Sequence, residues 1–73
     1  MLSGKTKATL LEVHPYDVHG QPNWLLRWRP DGAPEGTARE SHLATESVYP
    51  DPRPGDRIEV DLLMGEATEV RRA

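Results

Sequence analysis

The chain has 73 residues, a formal net charge of −3 and no cysteine. Its length predicts one small domain over residues 1–73 with a marginal core. The lack of cysteine excludes disulfides and thiolate zinc sites, and the acidic balance argues against the basic face that nucleic-acid binding needs. With 36% hydrophobic residues and no Phe, the core must rest on Leu, Val, Ile, Trp24 and Trp28. A scaffold this short is commonly completed by a partner chain, so a homo-oligomer or another protein partner is expected.

Residues 5–14 are rich in Thr, Val and Leu and predict a first strand. Residues 15–22 predict a turn, bracketed by Pro15 and Pro22, with Gly20 able to take a positive φ. Residues 23–29 predict a second strand with Trp24, Leu26 and Trp28 on one face and Arg27 and Arg29 on the other. The register that puts the large apolar residues together pairs Val13 with Trp24, Leu11 with Leu26 and Thr9 with Trp28. Ala8, Leu10, Glu12, Leu25, Arg27 and Arg29 then occupy the outer face, with Glu12 diagonal to Arg27.

Residues 30–36 read as a loop. Residues 37–48 alternate poorly. A third strand reaching about residue 43 is expected there, because a two-stranded hairpin is not stable alone; a short helix over 38–46 is the competing reading. Residues 49–55 hold three prolines, which rules out a central strand. Residues 57–63 predict a fourth strand. Ile58, Val60 and Leu62 alternate there with Arg57, Glu59 and Asp61, so one face meets water. Met64-Gly65-Glu66 reads as a tight turn, and residues 67–72 as a short closing strand. The fold class is therefore all-β: a small five-stranded antiparallel barrel or strongly curled sheet, of OB-like or SH3-like size.

The pattern Ala8-x-Leu10-x-x-Val13, then a mid-chain strand, a Gly-containing loop and Pro54-Gly55-Asp56-x-Ile58-x-Val60, resembles a group of small bacterial β-barrel domains of unknown function. Some of these are associated with membrane-protein genes. That group often carries an aspartate-proline pair where this chain has Met64-Gly65-Glu66. The resemblance implies a bacterial domain and brings no catalytic residue.

The candidate chemistry is sparse. His14, Asp17 and His19 share one loop, but their spacing matches no metal-ligand pattern, and they read as solvated turn residues. Ser41 and His42 are neighbours on a strand and point to opposite faces, so they cannot act as a dyad. No phosphate-binding loop is present. No catalytic, metal or cofactor residue is assigned, and the chain reads as a non-enzyme. Residues 1–30 carry a net +2 and residues 31–73 a net −5.

Two functional readings remain. The first is a self-associating interaction or accessory module, with Ala8, Leu10 and Leu25 as its interface. The second is a nucleic-acid-binding OB-like or SH3-like domain using Lys5, Lys7, Arg27 and Arg29. The tryptophans face away from those arginines, so base stacking and phosphate contact would not converge. Met1–Lys7 lacks the apolar run of a signal peptide, and no segment suits direct membrane insertion. A cytoplasmic location is the resulting expectation.

Overall fold

The computed structural model describes residues 3–34 and 36–73. Met1, Leu2 and Glu35, the last within the expected 30–36 loop, lie outside the described residues. Five strands form one antiparallel sheet: β1 (Ser3–Val18), β2 (Gln21–Pro30), β3 (Arg39–Ala44), β4 (Arg57–Leu63) and β5 (Glu66–Arg72). Their order in the sheet is β3-β2-β1-β4-β5.

Strand β1 serves two partners. Ser3–Thr9 pairs with β4, and Ala8–Val18 pairs with β2. The sheet curls around this shared strand. Its two edges come near each other at a parallel bridge between Val48 and Val70, where the Tyr49 N–H donates to the Val70 carbonyl at 3.2 Å. No strand ladder joins β3 to β5, so the sheet is not closed into a barrel.

Both two-residue hairpins have the same backbone cause. His19 and Gly20 have φ of 50° and 82°, and Met64 and Gly65 have 53° and 84°. Two successive positive φ values make the turn whose twist matches that of the flanking strands. Val18–Gln21 and Leu63–Glu66 are the last pairs before each turn. The first strand thus runs on through Pro15 and Tyr16 to Val18, into the segment expected as a turn at 15–22, and the turn itself is only His19-Gly20. Pro15 is tolerated because β4 has ended by then and one side of β1 is an edge.

The core is built from Ala8, Leu10, Leu26, Trp28, Leu43, Val48, Ile58, Val60 and Val70, with Val13, Trp24, Tyr49, Leu62 and Ala67 packed against it. Ile58, Val60 and Leu62 face the same core as Trp24, Leu26 and Trp28, as their alternation requires. Trp28 is fully buried and donates its indole N–H to Ser41 Oγ at 3.0 Å, so no polar group is stranded. Burying each such large side chain is worth about 1.5–3 kcal/mol.

The expected register of the first hairpin is corrected. Leu10 pairs with Trp28, and Val13 with Leu26, because a bulge between Leu10 and Glu12 inserts one residue into β1. An inserted residue switches which side chains face inward. Ala8 and Leu10 face inward before the bulge and Val13 after it, and the extra residue, Leu11, is left 39% exposed. Thr9 points outward, not inward. The weakly alternating segment does form a strand, β3, rather than a helix over 38–46. Only Thr45–Ser47 make a single 3-10 turn.

Candidate functional site

The outer face of the β1–β2–β3 half has three cross-strand rows. Tyr16, Asn23 and Ala44 lie abreast, then His14, Leu25 and His42, then Glu12, Arg27 and Glu40. The faces follow from the bulge: after Leu11 the even-numbered residues of β1 point outward. Leu25 is partly buried between two imidazoles. His14 Nε2 lies 3.1 Å from Glu12 Oε1, and Glu12 Oε2 lies 3.6 Å from Arg27. His42 Nε2 lies 3.5 Å from Glu40, and its Nδ1 is 3.1 Å from the Tyr16 hydroxyl. The Tyr16 and His42 rings meet edge to face at 5.7 Å, a favoured aromatic arrangement.

The candidate interface residues are not brought together. Leu25 is on this face, but Ala8 and Leu10 are each 0% exposed. They cannot offer surface to a partner while the chain is folded. The expectation that all three share an outer face is corrected, and the bulge at Leu11 is the reason. Its sequence signal was the spacing Ala8, Leu10, Val13: these can share one face only with an extra residue between the last two.

The other half of the outer face is an ion-pair lattice. Arg71 reaches Asp61 at 2.6 and 2.8 Å, Glu59 at 2.9 Å and Glu69 at 3.2 Å. The guanidinium hydrogen bonds hold the Asp61 carboxyl below its ordinary range, and the Asp61 and Glu59 bonds push the Arg71 pKa up. Arg57 grips Asp31 through both guanidinium nitrogens and also donates to Thr9 Oγ1 at 2.8 Å. The hydrogen bond from Arg57 depresses the Asp31 pKa.

The four candidate nucleic-acid cations fall within this acidic setting. Lys5 stands across from Asp61, and Lys7 across from Glu59. Arg27 has Glu12, while Lys7 and Arg29 both add favourable charge at Asp31. Lys5, Lys7 and Arg29 therefore lie on one outer face with Arg27, but each has a carboxylate beside it. Among the described residues Arg27 is ion-paired with Glu12, while the carboxylates near Lys5, Lys7 and Arg29 are held by Arg71 and Arg57.

The Pro54-Gly55-Asp56 turn has a structural task that the sequence did not reveal. Gly55 N–H donates to the Leu10 carbonyl at 2.7 Å, and Leu10 N–H donates to the Asp56 carbonyl at 2.9 Å. These bonds dock the turn against β1 beside the bulge. The Asp56 carboxylate accepts from the Tyr49 hydroxyl at 2.6 Å and from the Arg53 N–H at 3.0 Å.

Among the described residues no group of three or more His, Asp or Glu is placed to hold a metal ion, and no described helix is long and apolar enough to cross a membrane. Ser41 and His42 do lie on opposite faces, Ser41 bonded to Trp28 and His42 to Tyr16. A shallow open groove of about 340 Å³ runs along Ser3, Gly4, Lys5, Leu62 and Leu63. It shares no residue with the histidine rows, and its charged lining, Lys5 and Asp61, belongs to the ion-pair half of the outer face.

Comparisons with protein-family models, with curated proteins and with solved structures found no match.

Proposed function

We propose that this chain is a small OB-like module that works by binding another protein chain, a second copy first of all. Its contact surface is the outer face around Leu25. The observation that carries this reading is the contrast between the two halves of the outer face. Around β4 and β5 the side chains satisfy one another in ion pairs. Around Leu25, half-buried Leu25 and Tyr16 stand beside two exposed histidines, and the charged contacts there are looser, at 3.1 to 3.6 Å. Aromatic and apolar groups rimmed by charges are what protein interfaces use.

The OB-like reading is favoured over the SH3-like one by the shared central strand and by the Val48–Val70 bridge, which draws β5 towards the end of β3. A five-stranded, partly open Greek-key barrel has this plan.

Sedimentation equilibrium tests the proposal. The wild type is expected to associate as concentration rises, and Leu25→Glu to shift it to monomer while remaining folded. A wild type that stays monomeric at high concentration sinks self-association. The nucleic-acid alternative has one feature in its favour, the Tyr16–His42 ring pair on the same face. A gel shift at low salt, where phosphate contacts are strongest, decides it: no shift with single-stranded DNA or RNA removes that reading.

A further inference from the structure

We infer that the free edge of β1, from Val13 to Asp17, is closed to strand addition by Pro15, so that this chain cannot associate by joining sheets along that edge. Backbone direction carries the inference. Hydrogen-bonding groups alternate from side to side along a strand. Leu10 directs both its N–H and its C=O to the β4 side, toward Asp56 and Gly55, while the Lys7 carbonyl accepts from Asp31 at the end of β2. Counting onward through the bulge, Glu12, His14, Tyr16 and Val18 direct their groups to β2. The turn gives the same answer. Val18 and Gln21 close a two-residue hairpin and form its terminal hydrogen-bonded pair. Both counts leave Val13, Pro15 and Asp17 facing away from β2.

Strand β4 has already ended at this level, since its pairing with β1 stops at Thr9–Arg57. Among the described residues no backbone hydrogen bond from another element reaches Val13, Pro15 or Asp17. This is an exposed strand edge, the usual template for pairing with another chain. Pro15 stands in its middle, with its missing N–H on the open side. A second copy pairing antiparallel about this point would set Pro15 against Pro15, with both donors absent. Moving the register by two residues, the smallest shift that keeps open-side groups opposite each other, sets Pro15 against Val13 twice and loses a donor each time. Exposed Leu11 and Val18, 39% and 46% exposed, flank the edge and would otherwise favour such pairing.

The inference holds whether or not the Leu25 face associates, and its test is separate. Pro15→Thr restores the donor at a position whose N–H is not needed inside the molecule. Sedimentation of the full chain is expected to show Pro15→Thr associating at least about tenfold more tightly than wild type, with Leu25→Glu unable to reverse the gain. Pro15→Thr that folds and sediments as wild type overturns the inference. A second measurement needs no variant. Amide exchange of the wild type at rising concentration is expected to leave Val13 and Asp17 unprotected throughout, and protection of these amides at high concentration overturns it.

Discussion

Tyr49 donates its hydroxyl to the Asp56 carboxylate across 2.6 Å, tying the segment that crosses to β5 to the turn that launches β4. The same tyrosine gives its N–H to Val70 and lies 5.0 Å below the Arg72 guanidinium. Burial and the Asp56 bond push its pKa up, and Tyr49 and the Arg53 N–H hold the Asp56 carboxyl below its ordinary value. Tyr49→Phe removes the bond and leaves the ring. It is expected to cost about 1 kcal/mol, or about 4–8 °C in melting temperature for a domain of this size. An unchanged melting temperature would show that water replaces the hydroxyl without loss.

Acid should destabilise the fold through a few named carboxylates. Asp31, Asp56 and Asp61 all have folded pKa values below the ordinary 3.8, through hydrogen bonds from Arg57, Tyr49 and Arg71 respectively. A depressed carboxyl stabilises the fold above its unfolded value and loses that contribution as pH falls through the folded one. Thermal melts are expected to be flat from neutral pH to about pH 5 and to fall below about pH 4. Asp61→Asn should flatten that acid limb. Tyr49 acts in the opposite sense: its raised value supports the fold below the ordinary tyrosine range and is lost as pH climbs above about 10.

Leu10 and Leu25 should respond in opposite ways. Leu10 is fully buried, so Leu10→Ala leaves a cavity and is expected to cost about 2–5 kcal/mol. That is much of the stability of a chain this short, and chemical denaturation should show it largely unfolded. Leu25→Glu changes an outward-facing residue and is expected to keep the melt near wild type. Similar losses for both would mean that Leu25 is also part of the core.

Met64 sits at φ 53° and is 73% exposed in the β4–β5 turn. Asparagine takes this left-handed conformation more readily, and Asn-Gly is the preferred pair for such a turn. Met64→Asn is expected to stabilise the chain by roughly 0.5–1 kcal/mol, the usual scale of a turn correction. A lower melting temperature would show that the methionine makes a contact worth more than the strain it carries.

Much of the fold was legible where local chemistry decides it. The alternation from Arg57 to Leu62 marks β4 and its inward face. Gly20 and Gly65 mark the two hairpin turns, because a second left-handed residue suits glycine above all. The candidate site was less legible. Leu10 and Leu11 are adjacent and chemically alike, so nothing local says which one faces inward. The resulting one-residue error moved Ala8 and Leu10 to the wrong face and named as candidate surface two residues that are buried.

By itself, the sequence determined that the chain is all-β, which glycines its tight turns use and which residues of β2 and β4 form the core. These follow from period-2 alternation and from backbone preferences that act within a few residues. Only the tertiary structure decided that β1 serves two partners, that a bulge at Leu11 reverses its faces, and that each cation of the outer face lies beside a carboxylate. Those features depend on which strands meet across the sheet. Pairing of that kind is settled by the fit of distant segments around a common core, and no short stretch of chain encodes it.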